Sequence, residues 1–210
     1  MIRLSPVFSA VLCGGLMMFA APALAQSIVG TAFVDGKRVD LFNNGTWDFS
    51  DTGDVSCQKI ATTLSFCGNP FKWKPTSASN DDITAMFRAD DLNYGMVIYE
   101  GLGLNAGMSR TQVQSIALEY AAAASQMSVS QVPVFGIVPV TVADHDTETL
   151  YYAASIDGLH IVYANTVLVG ASDTAQIVTY EIADDINDAF KIRHKDFLDS
   201  FKIEFWEDAE

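Results

Sequence analysis

The sequence predicts an α+β fold in which an antiparallel β-sheet is packed between helices, preceded by a small N-terminal β-meander. Residues 150–182 contain three β-rich runs, and Asp157-Gly158 joins the first two. An Asp-Gly pair between such runs is typical of a tight hairpin, because its turn needs positive φ, which glycine adopts without strain. Helical patterns follow Ser109 and occupy residues 184–201. The three runs should therefore form the centre of the sheet.

The first 25 residues have the pattern of a secretory signal peptide. Arg3 is followed by an apolar run, and Ala23-Leu24-Ala25 forms a cleavage signal of small residues. We therefore predict an exported bacterial protein, periplasmic or secreted. The predicted units are the signal peptide (1–25), the β-meander with its linker (26–53) and an α+β sandwich domain (54–210).

The mature chain is strongly acidic. Removing Arg3 from the 12 basic residues leaves 11 against 26 acidic ones, a net charge of −15. Nucleic-acid affinity comes largely from Lys and Arg contacts with phosphate, so this charge disfavours nucleic acids and anionic lipids as partners. No later apolar run approaches the roughly 20 residues that span a bilayer, so we expect no membrane insertion after cleavage.

The cysteine count predicts one disulfide. Cys13 should leave with the signal peptide, and Cys57 and Cys67 then remain as an even pair in an oxidising compartment. A redox-active pair would usually have Cys-x-x-Cys spacing, which this pair lacks. Because the bridge would close a short loop, it should stabilise the fold by about 2 to 3 kcal/mol.

The N-terminal part predicts a three-stranded meander. Residues 28–49 are β-rich, with turn signals at 35–36 and 44–45. Such a meander is too thin to be stable alone, so it should either pack on the main domain or form a mobile extension. Trp47 is the side chain that we expect to anchor it.

The next segment is partly ambiguous. Residues 58–65 fit either a helix or a strand. Residues 71–74 alternate between aromatic and basic side chains, which predicts a strand. Residues 84–102 predict a further hairpin with a turn near 90–93.

A glycine-rich loop follows that hairpin. Residues 101–106 fit the G-x-G-x-x-A pattern of dinucleotide-binding proteins, in which the pyrophosphate lies at a helix N-terminus. Here the helix begins only after Ser109, and the acidic residue at the expected distance, Glu119, lies inside that helix. We therefore predict a strand-to-helix loop and no cofactor.

The first helix is marked by a capping box, Ser109 and Gln112. It should extend from Arg110 to about Ser125, and alanines 121–124 would let it lie close to the sheet. The face expected to contact the sheet comprises Val113, Ile116, Ala117, Tyr120 and Ala121.

The remaining elements are an edge strand and a second helix. Residues 132–142 contain two prolines, which cannot donate to a strand ladder and therefore favour an edge or broken strand. The C-terminal helix should have Asp184 or Asp185 as N-cap, with His194 on or near its apolar stripe.

Candidate site residues are few. Asp144, His145 and Asp146 are a dense group of potential ligands at a predicted hairpin tip, but consecutive turn residues seldom converge on a metal, so we predict no metal site. His160, among apolar strand residues, is expected to be structural. No nucleophile elbow, His-Glu-x-x-His motif or P-loop is present, and we predict no catalytic residue set.

The order of elements resembles the Mog1/PsbP/DcrB-like superfamily over residues 57–205. The resemblance includes the hairpin that ends at residues 99–101 and the meandering strands that end at residues 176–180. It also includes a C-terminal helix that carries His194 and residues 197–198. It implies a sheet between helices and an accessory or binding role, without a transferable catalytic set. The N-terminal meander is similar to the short "DGTW" type of module of other exported bacterial proteins.

These features predict an exported, non-enzymatic accessory protein that binds a partner envelope protein or a small ligand. The enzyme alternative is a periplasmic hydrolase that uses His145 or His160 with a nearby carboxylate. A third alternative is a structural factor for envelope assembly or stability. The sequence leaves the oligomeric state open.

Overall fold

The computed structural model describes residues 27–34, 37–49, 57–78 and 80–204. The predicted signal peptide lies outside these residues. The described strands are β1 (Ile28–Val34), β2 (Lys37–Phe42), β3 (Trp47–Phe49), β4 (Gln58–Lys59), β5 (Leu64–Phe66), β6 (Lys74–Thr76), β7 (Ala85–Arg88), β8 (Asn93–Glu100), β9 (Val134–Val142), β10 (His145–Ile156), β11 (Leu159–Val169), β12 (Thr174–Ile182) and β13 (Phe201–Ile203). The described α-helices are α1 (Arg110–Ala124) and α2 (Asp188–Leu198). Neither helix has the length and apolar character needed to cross a membrane.

Seven strands form one antiparallel sheet in the order β6-β7-β8-β12-β11-β10-β9. The predicted three-strand meander is confirmed, because β10, β11 and β12 are successive antiparallel neighbours. Asp157 and Gly158 have φ of 52° and 81°, the positive values that a primed turn requires. β9 lies at the edge of the sheet, as predicted, and its pairing with β10 shifts register between Tyr151 and Tyr152.

α1 packs on one face of the sheet, over β10 and β11. The predicted capping box is confirmed: Ser109 Oγ accepts a hydrogen bond from the Gln112 backbone N–H, and the Gln112 side chain accepts one from the Ser109 N–H. Ile116 and Tyr120 differ from the prediction, since Tyr120 is 71% exposed and Ile116 only partly buried. The face of α1 that was predicted to contact the sheet is therefore wider than the face that is buried.

α2 packs on the opposite face, against β12. Its N-cap is Asn187, whose side chain accepts a hydrogen bond from the Phe190 N–H. The predicted caps, Asp184 and Asp185, are wrong by two or three residues, because the backbone is still extended at Asn187 and turns helical only after it. The predicted α+β class fits this architecture. The predicted packing between helices holds only in part, because one α-helix on each face covers a fraction of the seven-stranded sheet.

The larger core lies on the α2 side. Phe197 is fully buried there among the rings of Trp73, Phe87 and Phe201, with centroid distances of 4.4, 5.6 and 5.0 Å. Phe197 also occupies the space beside Gly95, where an added Cβ would lie 2.6 Å from its Cζ. This aromatic cluster joins α2 to the sheet.

The disulfide belongs to a small second sheet of order β13-β5-β4. Cys57 and Cys67 are bonded, as predicted, and flank β4 and β5. The ambiguous segment is thus strand at both ends. The strand predicted over 71–74 is wrong, because β6 begins only at Lys74 after a turn that includes Phe71.

The N-terminal meander is a three-stranded sheet of order β1-β2-β3, as predicted. Trp47 does not have the anchoring role predicted for it: the side chain is 55% exposed, and its ring contacts Phe49 at a centroid distance of 5.7 Å. Alternation alone does not indicate which face of a thin sheet is covered.

His194 is a buried part of the α2 interface. It is 1% exposed, and its Nε2 and Nδ1 lie 2.7 Å from Thr166 Oγ1 and 2.9 Å from Thr179 Oγ1. Thr166 Oγ1 also lies 2.6 Å from Thr149 Oγ1. A neutral imidazole satisfies this chain with one ring nitrogen as donor and the other as acceptor. His194 therefore ties α2 to three strands.

Burial of His194 should make stability depend on pH. Desolvation lowers its pKa from 6.5 to about 3. Between these values the unfolded chain binds a proton that the folded chain does not, so the free energy of unfolding falls by about 1.4 kcal/mol for each unit that the pH drops, and above pH 6.5 the effect vanishes.

The check is His194→Gln, studied by urea unfolding at pH 7.5 and pH 5. The wild type should lose about 2 kcal/mol more than the variant over this interval, because only the wild type carries the titrating imidazole. Comparing the change with pH separates titration from any loss of packing. Equal losses in both proteins would contradict this account.

Candidate functional site

The histidine and aspartate candidates do not form one site. Asp144 lies in the two-residue turn before β10, with φ of 72°, and His145 is the first residue of that strand. His160 pairs with Ser155 near the other end of β10. Ser155 is ten residues beyond His145 along β10, so the histidines are roughly 33 Å apart.

The 143–148 segment also differs from the predicted hairpin tip. Only residues 143–144 form the turn, and His145 and Asp146 belong to β10. Asp146 accepts a hydrogen bond from Thr141 Oγ1 at 2.8 Å. Among the residues that the structure describes, no three His, Cys, Asp or Glu side chains are grouped so as to hold a metal ion. The absence of a metal site remains a prediction.

The structure instead places a cavity of about 520 Å³ between α1 and the sheet. Strands β8, β10, β11 and β12 form its floor, α1 forms one wall, and the loop before β7 borders its mouth. Its lining residues are Asn80, Asp82, Ile83, Met96, Ile98, Glu100, Met108, Ile116, Ala117, Tyr120, Ala121, Ala124, Tyr152, Ala154, Ile156, Tyr163, Asn165, Gln176 and Val178. A mainly apolar cavity of this size with a few polar groups is typical of small-molecule sites.

The cavity exists because α1 lies over only part of the sheet. α1 contacts β10 and β11, whereas on the same face Met96 and Ile98 of β8 and Val178 of β12 line open space. The helix presents alanines there, including Ala121 and Ala124. Small side chains were predicted to allow close packing, but over the uncovered strands they leave a gap.

Two amides on the cavity floor supply its buried polar groups. Asn165 is 1% exposed, and its Nδ2 donates a hydrogen bond to Gln176 Oε1 at 2.9 Å. The Asn165 Oδ1 atom is also buried and has no hydrogen-bond partner among the described residues. A buried acceptor without a donor costs about 1–3 kcal/mol, so a ligand N–H or O–H at this position would be favoured.

Four tyrosines lie side by side on this face of the sheet. Tyr94, Tyr180, Tyr163 and Tyr152 occupy paired positions on β8, β12, β11 and β10. Successive ring centroids are 5.1, 5.7 and 5.0 Å apart. Tyr152 and Tyr163 line the cavity, so the row provides it with an aromatic wall.

The tyrosines act as neutral groups. Burial raises the pKa of Tyr163 and of Tyr180 to about 12, and it also raises the pKa of Tyr152. All three therefore keep their phenolic proton at physiological pH. Tyr152 and Tyr163, which line the cavity, therefore offer neutral aromatic rings to a ligand and no phenolate nucleophile.

The charged groups at the cavity are acidic. Asp82 and Glu100 border it, and both side chains are exposed. No His, Lys or Arg occurs among the described residues that line it. The site therefore lacks a histidine–carboxylate pair, and His145 and His160 lie elsewhere.

The glycine-rich loop has a packing role. Leu104 N–H and Asn105 N–H donate to the carbonyls of Gly170 and Ala171, at 3.0 and 2.9 Å. A Cβ on Gly103 would lie 2.4 Å from the Gly170 carbonyl oxygen. Close packing against Gly170 therefore explains the glycine at position 103, and no bound phosphate is needed to explain it.

Comparisons with known proteins show that similar structures exist, but they do not assign the chain to a family. No family model matches the chain, and no curated protein matches it. The solution structure of cyanobacterial PsbP (CyanoP) from Synechocystis sp. PCC 6803 is similar, with 17% identity over 74% of this chain and 97% of that chain and a TM-score of 0.48.

Two other solved structures are more distant. One is LpqN of Mycobacterium tuberculosis, described as involved in cell envelope biogenesis, with 12% identity over 67% of this chain and 83% of that chain and a TM-score of 0.40. The other, from Bacteroides thetaiotaomicron VPI-5482, has 8% identity over 67% of this chain and 45% of that chain, with a TM-score of 0.44. Likeness at this level does not transfer a function.

Proposed function

We propose that this chain is an exported binding protein that holds a small, mainly apolar ligand in the cavity between α1 and the sheet. The observation that supports this most is the unpartnered Oδ1 of Asn165 on the floor of a cavity of about 520 Å³. Apolar walls provide the binding energy, and a few polar groups fix orientation. The predicted signal peptide and the Cys57–Cys67 disulfide support export, since disulfides persist in oxidising compartments.

A small ligand fits the geometry better than a partner protein. The cavity is concave, whereas the main apolar surface elsewhere on the large sheet is the edge strand β9, where Val134, Phe135, Ile137 and Val138 are about half exposed. β9 contains Pro139 and a register shift, features that keep sheet edges from pairing with other chains. The hydrolase alternative has no support from the cavity, since the described residues that line it include no histidine.

Ligand binding can be tested with N-phenyl-1-naphthylamine, an apolar fluorophore with one N–H donor. Its fluorescence should rise on mixing with the protein and saturate at one site. Ala124→Trp should weaken binding by at least about tenfold, because the indole takes space in the cavity and overpacking costs about 1–3 kcal/mol.

Ala123→Trp is the matched control. Ala123 is the preceding residue of α1 and is also exposed, but it does not line the cavity. The affinity of the Ala123→Trp variant for the fluorophore should equal that of the wild type. Equal binding by all three proteins would place the fluorophore elsewhere and refute the proposed site, provided that thermal unfolding shows both variants to be folded.

A further inference from the structure

We propose that the ligand is an organic cation: an apolar, preferably aromatic, body with a protonated amine that lies at the cavity mouth. This inference rests on the proposed function, since it assigns a chemical class to the same cavity. It depends on the charge of the lining residues, on the aromatic wall, and on the hydrogen-bonding capacity of the floor.

The charge of the lining residues selects against anions. Asp82 and Glu100 are the charged side chains among the described lining residues, which include no basic side chain. The whole chain has a net charge of −14, so its long-range field also draws cations toward this mouth and repels anions.

The position of the acids indicates where the charge of the ligand lies. Glu100 follows Ile98 by two residues on the same face of β8, and Ile98 is paired with Gln176 on the cavity floor. A strand rises about 3.3 Å per residue, so the Cα atom of Glu100 is about 7 Å along the sheet from the level of Gln176. An ammonium can remain partly hydrated beside Glu100 and Asp82 while the attached body lies inside. A fully buried cation would instead need a buried carboxylate, whereas both acids among the described lining residues are exposed.

The interior fits an aromatic body with a neutral donor. Tyr152 and Tyr163 line the wall, and because their rings stack on each other, they offer mainly ring edges, which favour edge-to-face contact with an aromatic body. The free lone pairs of Asn165 Oδ1 require a donor, and an N–H or O–H group on the ligand supplies one. The buried amide and the two exposed acids are separate features, and all three residues line the same cavity.

The test uses three probes that share one aromatic body: 1-naphthylmethylamine, 1-naphthylmethanol and 1-naphthoate. Each displaces N-phenyl-1-naphthylamine from the full mature protein in low salt. Two exposed carboxylates, each contributing little, should together make the amine bind about 10-fold or more tighter than the carboxylate, with the alcohol between them.

The variant Asp82→Asn/Glu100→Gln should reduce this ratio to about 3-fold or less, since only the long-range field remains. The matched control is Glu119→Gln/Asp184→Asn, which changes the net charge equally at exposed acids that do not line the cavity. It should keep the wild-type ratio.

Failure of this inference is distinguishable from failure of the proposed function. If the alcohol or the carboxylate binds as tightly as the amine, or if both double variants change the ratio equally, the cavity binds ligands but is not a cation site. If none of the probes displaces the fluorophore and Ala124→Trp binds it like the wild type, the cavity is not a binding site.

Discussion

Replacing Phe197 with alanine should lower the free energy of unfolding by about 3–5 kcal/mol, the usual cost of removing a fully buried phenylalanine. Its ring contacts Trp73, Phe87 and Phe201, and it fills the space beside Gly95. These neighbours come from separate parts of the chain, so we expect them to fill the gap only in part. Urea unfolding followed by tryptophan fluorescence measures the loss.

The matched control for Phe197→Ala is Ile192→Ala on the same helix. Ile192 is 63% exposed, so its truncation should change the free energy of unfolding by less than about 0.5 kcal/mol. A loss below about 1.5 kcal/mol for Phe197→Ala would indicate that α2 is not seated on the sheet as described.

Removal of the disulfide should have the next largest effect. The double variant Cys57→Ser/Cys67→Ser should lose about 2–3 kcal/mol, because the bridge restricts a short loop in the unfolded chain. The loop also carries β5, whose Leu64 and Phe66 are buried in the larger core. Wild-type protein unfolded in dithiothreitol should show the same loss.

Thiol labelling provides the control for the oxidation state. The mature protein, denatured without reductant, should show no free thiol. Two free thiols, or an unchanged urea midpoint in the double variant, would contradict a structural disulfide.

Local patterns in the sequence predicted the elements well. Asp157-Gly158 marked the hairpin, and Ser109 with Gln112 marked the start of α1, because turns and caps depend on neighbouring residues and backbone dihedrals. The cap of α2 was harder to predict, since Asp184, Asp185 and Asn187 are all good N-cap residues. Only the backbone geometry of the folded chain selects Asn187.

The candidate site could not be predicted in the same way. Tyr94, Tyr152, Tyr163 and Tyr180 are far apart in sequence, and only the pairing of four strands places them in a row. Asn165 is one polar residue within an apolar strand, and its missing partner becomes visible only when its surroundings are known. The alanines of α1 were visible in the sequence, but whether they allow close packing or leave a cavity depends on which strands the helix leaves uncovered. The histidines stood out because they are chemically distinctive, and the fold keeps them apart.

An NMR titration of the ¹⁵N-labelled mature protein with N-phenyl-1-naphthylamine tests directly whether the ligand binds between α1 and the sheet. Binding in this cavity should cause saturable shifts of the side-chain amide signals of Asn165 and Gln176 and of the backbone amides of residues 117–124. Signals of β9 and of the N-terminal meander should not move. Shifts confined to β9 or the meander, with the Asn165 and Gln176 signals unchanged at saturation, would contradict a ligand site between α1 and the sheet.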